Sequence, residues 1–292
     1  MRKLYIMFAA GLISLAAAAQ NPTSEALPFM QLDYNPSSIA MGSTQVSSAA
    51  TLPFCEMKLA GGLSYQNYMP QISATQFIGA GLAGRLDKIG YSLSFVHGTG
   101  EKVFMEDAGS KYYEPTEMLL NAGLSYAFLD FLAVGVNVKY AKEQPWTNYS
   151  IDGIAADVFV AGKVEGIDFA AGVSSLGPKV KSQSSDEFDL PTALTVGAGY
   201  RYEISDEHAL AIRAKVDSYL STGLAAGAGV EYCFSGMVSA RAGYHYGGDS
   251  VLPTFASAGL GVNYSGFTLD AAYLFASDIL GGTFALSAGY RF

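Results

Sequence analysis

Charge is scarce in this chain. Only 15% of its 292 residues are Asp, Glu, Lys or Arg, against about 25% in an average soluble domain. Half are hydrophobic, and the mean hydropathy is +0.22. Yet beyond residue 20 no unbroken apolar run reaches the roughly 18 residues that a helical membrane span needs. What remains is hydrophobicity spread thinly over many strands. Basic clusters are missing too, and a net charge of −9 excludes nucleic acid as a partner. The two cysteines, Cys55 and Cys233, make no disulfide framework; they are read as unpaired thiols, with one pairing open. His97, His208 and His245 show no metal spacing, and no nucleophile elbow occurs. Residues 79–84, GAGLAG, match a dinucleotide fingerprint letter for letter. That fingerprint needs a following helix to hold the pyrophosphate, and here one strand pattern runs into another. The expectation is a non-enzymatic protein without cofactor or metal.

The chain opens with Arg2 and Lys3, an apolar run from Leu4 to Ala18, and Ala17-Ala18-Ala19 before Gln20. This is the pattern of an export signal over 1–19, and no cysteine follows it to carry a lipid anchor. Residues 20–58 alternate poorly and read as an N-terminal segment at or in a barrel mouth or lumen. From residue 59 to 292 alternation takes over. Fourteen candidate strands lie near 59–66, 75–85, 88–98, 117–128, 130–142, 151–162, 165–174, 189–202, 207–218, 222–234, 236–246, 254–264, 265–276 and 281–292. In FLAVGVNVKY, Leu132, Val134, Val136, Val138 and Tyr140 oppose Ala133, Gly135, Asn137 and Lys139.

The second face decides between a barrel and a soluble sandwich. It is mostly Gly, Ala, Ser and Thr, with Lys139, Asp157, Asp168, Arg201, Arg213, Lys215, Asp217, Glu231, Arg241, Asp270 and Arg291 spaced along it. Hydrocarbon would charge about 2–4 kcal/mol for a cation at its midplane. A solvent face would carry more Lys and Glu. Sparse charges of both signs among small residues fit a wet lumen. The connections agree. Even-numbered ones are short turns, and most odd-numbered ones are longer, polar and Pro-rich, which is the asymmetry of periplasmic turns and external loops. Aromatic residues gather at strand ends, where a membrane interface would hold them. Tyr290 and Phe292 close the chain as the aromatic assembly signal of its last strand. The fold class expected is all-β, a transmembrane antiparallel barrel of about fourteen strands in outer-membrane lipid.

Among the loops, the longest connection supplies Glu101, Phe104, Glu106, Asp107, Tyr112 and Tyr113 as a candidate docking loop for a partner. Its acidic residues, with Glu114, read as a solvated patch rather than a cation site.

Several segments resemble the PorV/PorQ family. LDYNPSSIAMGSTQVS (32–47) is similar to its opening motif, LSYQNYMPQI (63–72) to its first strand and loop, and LPTALTVGAGYRY (190–202), AGVEYCFSGMVSARAGYHYG (228–247) and LGVNYSGFTLDAAY (260–273) to later strands. SAATLPFCEMKLAGG (48–62) departs from the family pattern. The resemblance implies a fourteen-stranded outer-membrane barrel related to the long-chain fatty acid transporter, in a Bacteroidetes-type bacterium. It also implies a part in type IX secretion, with secreted cargo proteins or secretion-system components as partners. The competing expectation is a transporter for hydrophobic small molecules.

Overall fold

A computed structural model describes residues 25–46, 48–105, 111–146, 149–181, 186–248, 252–275 and 277–292. The export signal expected over 1–19 lies outside them. The strands, in chain order, are β1 (Leu59–Tyr68), β2 (Thr75–Leu86), β3 (Ile89–Thr99), β4 (Val103–Met105), β5 (Lys111–Tyr113), β6 (Thr116–Leu129), β7 (Leu132–Trp146), β8 (Tyr149–Val164) and β9 (Ile167–Leu176). There follow β10 (Val180–Lys181), β11 (Glu187–Phe188), β12 (Ala193–Glu203), β13 (His208–Tyr219), β14 (Gly223–Phe234), β15 (Val238–Tyr246), β16 (Phe255–Tyr264), β17 (Phe267–Phe275) and β18 (Phe284–Arg291). Fourteen of these pair as antiparallel neighbours into one closed barrel, while β4–β5 and β10–β11 stand apart as two small hairpins on external loops. Closure runs from Ala60↔Arg291 to Asn67↔Phe284 between β1 and β18, so no barrel edge is left to recruit another chain.

The turns explain the strict hairpin order. Glu165-Gly166 and Ser265-Gly266 join their strands in two residues, all four with positive φ. That backbone twist matches the right-handed twist of the flanking strands. The opposite ends carry the longer connections, including the whole excursion through β4 and β5.

Register sends each parity to one side. Leu63, Leu124 and Leu260 point outward with 64%, 63% and 63% of their surface uncovered by protein. In water such a belt would be an extended aggregation surface; in hydrocarbon it is the solvated state. Tyr126, Phe128, Tyr200, Tyr202, Tyr232, Phe234, Tyr264 and Phe267 ring the short-turn end, and Trp146, Tyr244, Tyr246, Tyr273 and Phe275 the other. At the C-terminus Phe267, Tyr290 and Phe292 stack edge to face at 4.7 Å spacings.

Two features depart from the sequence expectation. The small hairpins β4–β5 and β10–β11 are read from sequence only as loop. The β8–β9 interface also carries a register shift between Ala156 and Val158. There Ser175 takes a positive φ and its N–H donates to Asp157 Oδ1 at 2.7 Å. A bulge of this kind leaves one backbone donor unpaired, and the buried carboxylate supplies the acceptor.

Candidate functional site in the barrel lumen

The N-terminal segment threads the lumen from one mouth to the other. Glu25 sits at the long-loop end, where it bridges to Asp189 and its Oε1 accepts from Ser221 Oγ. A 3-10 turn (Pro28–Gln31) leads to a short helix α1 (Pro36–Ile39), capped by Asn35, whose Oδ1 accepts from the Ser37 N–H at 3.1 Å. A second 3-10 turn (Ala49–Phe54) follows, and the segment leaves where the Arg85 N–H donates to Lys58 O at 3.0 Å beside β1. Apolar contacts hold the upper half. Leu27, Phe29 and Met30 pack with Ile151, Val180 and Leu190, and Ile39 and Ala40 with Phe77, Phe255 and Leu274.

Inward-facing glycines make this possible. A Cβ on Gly229 or Gly243 would overlap the backbone of Met41, one on Gly227 that of Gly42, and one on Gly135 that of Ala50. Hydrogen bonds add register. Asn137 Oδ1 accepts from the Ala49 N–H at 3.1 Å, and Ser257 Oγ from the Gly42 N–H at 3.3 Å. The contrast lies at Gly62, Gly79, Gly81 and Gly289 on β1, β2 and β18, where an added Cβ first meets neighbouring strands instead of the segment. Along this part of the wall runs a cavity of about 550 Å³, which reaches round the segment to Lys139, Asp157, Lys215 and His245 on β7, β8, β13 and β15. Ser64, Ser92, Ser94 and Ser287 line it together with those glycines, and Leu32, Tyr34, Val96 and Leu119 make it apolar towards the loop end.

Among the described residues, ten of the eleven charged residues spaced along the inner face, all but Arg291, meet an opposite charge. Lys139 Nζ lies 2.9 Å from Asp157 Oδ1, and Lys215 Nζ lies 3.1 Å from Asp217 Oδ2. Thr195 Oγ1 donates to Asp217 Oδ1 at 2.6 Å. Nearer the short-turn mouth, Arg241 donates from Nε to Glu231 at 2.5 Å and from Nη1 to Asp270 at 2.6 Å. Arg213 pairs with Asp168 at 3.2 Å, and Arg201 with Glu203 at 2.7 Å. Arg291 lines a second, polar cavity of about 460 Å³ at the same mouth. Two of these pairs reach across an intervening strand. Gly261 separates Arg241 from Asp270, and Gly199 separates Asp168 from Arg213; a Cβ at either would press on the ionic groups. Glycine there clears the line between partners.

Sequence reasoning missed Glu25, Asp33, Asn121 and the lumenal role of His245. His245 shares the inward parity of Arg241 and Gly243, which is readable, but the group it meets, Gly42 O at 3.3 Å, belongs to the threaded segment. In the candidate docking loop, Phe104 and Tyr112 stack at 5.2 Å and are exposed, Glu101 is exposed, and Tyr113 Oη donates to Gln144 O at 2.9 Å. Glu106 and Asp107 lie outside the described residues. Both cysteines are free thiols. Among the described residues no three His, Cys, Asp or Glu side chains converge as metal ligands.

Comparison with solved structures places this architecture. The Ralstonia pickettii toluene transporter TbuX matches over 89% of this chain and 98% of its own, with a TM-score of 0.59 and 11% identity. The monoaromatic hydrocarbon channel CymD matches over 88% and 97%, at 0.63 and 13%. The Pseudomonas putida toluene transporter TodX matches over 89% and 97%, at 0.59 and 12%. The chain folds as an outer-membrane β-barrel. At these identities the likeness is one of fold. No family model and no curated protein matches the sequence, so the PorV/PorQ resemblance gains no support from them.

Proposed function

We propose that this barrel carries a small hydrophobic molecule across the outer membrane, along the cavity between its N-terminal segment and the wall of β18, β1, β2 and β3. One observation carries the reading: glycines on β7, β14 and β15 receive the backbone of the segment, whereas at Gly62, Gly79, Gly81 and Gly289 it stands off, leaving a course floored by small residues. Leu32, Tyr34, Val96 and Leu119 line the cavity towards the loop end, which suits a hydrophobic solute. The structural neighbours, which are toluene transporters and a hydrocarbon channel, favour it over cargo docking on the external loops. The docking reading rests on the sequence resemblance.

The test is obstruction. Ser94→Phe and Ser287→Phe put a ring into the course at positions with ordinary strand backbone. In cells lacking other hydrocarbon channels, uptake of radiolabelled toluene should fall by about tenfold or more, with heat-shifted gel mobility unchanged. Uptake equal to that of the native barrel in both variants would refute the path.

A further inference from the structure

The polar atoms left over in the cavity say what kind of molecule it accepts. This inference rests on the transport reading and narrows its substrate. Two ammonium groups face the buried part of the cavity, those of Lys139 and Lys215, and each already holds a carboxylate, at 2.9 Å and 3.1 Å, while Arg291 of the same lining stands exposed at the short-turn mouth, away from them. An anionic headgroup would have to displace Asp157 or Asp217 and leave a buried charge unpaired, which is strongly unfavourable. Two atoms of nearly inaccessible side chains on the same cavity have no hydrogen-bond partner among the described residues: Asp157 Oδ2, on a residue 1% exposed, and His245 Nε2, on one 2% exposed.

Both are acceptors. Asp157 spends Oδ1 on Lys139 and on the Ser175 N–H, and Oδ2 remains. His245 Nδ1 faces Gly42 O at 3.3 Å. A carbonyl only accepts, so Nδ1 carries the proton, and Nε2 of the neutral ring is a bare lone pair. Phe255, stacked on the imidazole at 5.1 Å, holds the ring in that plane. Buried acceptors are stabilised by a solute that brings a donor. We infer that the lumen selects neutral hydrophobic molecules bearing a hydroxyl group, phenols or alcohols, over bare hydrocarbons and over carboxylates.

The experiment compares three probes of one shape, p-cresol, p-xylene and p-toluate, by equilibrium dialysis against the purified folded barrel in detergent. His245→Phe keeps the stacking on Phe255 and removes the acceptor. The ratio of p-cresol to p-xylene affinity should drop about tenfold in this variant, with p-xylene binding unchanged. Working with the ratio cancels partition into the micelle. Asp157→Asn keeps an acceptor for the Ser175 N–H and frees Lys139, so p-toluate binding should appear where the native barrel shows none. A ratio that His245→Phe leaves unaltered, or p-toluate bound by the native barrel, overturns the inference while transport stands. No binding by any probe overturns both. If His245→Phe does not give the heat-shifted folded band, the native barrel and Asp157→Asn still decide the matter.

Discussion

Arg241 shows what one side chain does in this lumen. It is 9% exposed at the side chain and bonded to both Glu231 and Asp270. Arg241→Met would leave Asp270 without its cation and Glu231 with only Arg201, at 3.9 Å. Breaking a buried ionic cluster from one side should cost ~3 kcal/mol, read as a lower midpoint in urea-driven loss of the heat-shifted band. Glu25 gives the pH dependence. Burial, with the Asp189 charge adding and the Gln31 hydrogen bond opposing, pushes its carboxyl up from 4.5 to about 7. The folded state therefore binds this proton more tightly than the unfolded chain. The stability it contributes is fully present below about pH 4.5 and is lost as pH rises through about 7. Hydrogen exchange over residues 25–31 should be slower at pH 5 than at pH 8.5, and Glu25→Gln should abolish the difference.

At the scale of elements, the threaded segment depends on glycines that lie far away in sequence. Gly243→Val would drive its side chain into the Met41 backbone. The wall, paired on both sides by β14 and β16, cannot yield. The segment should therefore leave its seat at a cost of about 1–3 kcal/mol, seen as proteolysis within residues 25–58 while the barrel band persists. Gly81→Ala, whose new Cβ meets Ser94 at an ordinary 3.5 Å, should be silent in the same assay. The strands themselves were legible from alternation, because a period of two survives any register. The small hairpins β4–β5 and β10–β11 were not. Each is two or three residues a side, too short for a period to show, and held by its loop. The course of residues 25–58 was equally unreadable, since nothing local in LDYNPSSIAMGS announces that glycines on β14 and β15 will receive it.

For the whole molecule, closure is the property on which everything else stands, and neighbouring residues of β18 test it. Leu286 faces outward and Ser287 inward. Leu286→Arg should destabilise the barrel by about 2–4 kcal/mol at mid-membrane depth, and folding yield into liposomes would fall accordingly. Ser287→Arg, one residue on, should fold normally and only narrow the cavity. Equal folding yields would deny that the two sides of this wall meet different solvents.

The sequence by itself determined that this chain makes strands, how many close the barrel, which parity meets lipid, and which end carries the turns. All of these follow from short-range periodicity and from the energetic gap between hydrocarbon and a charged side chain. Only the tertiary structure decided which charges neutralise each other, where the N-terminal segment lies, and which part of the wall it leaves free. Those depend on register around a closed ring, where residues a hundred positions apart become neighbours and a missing Cβ on one strand creates room for a backbone from the other end of the chain.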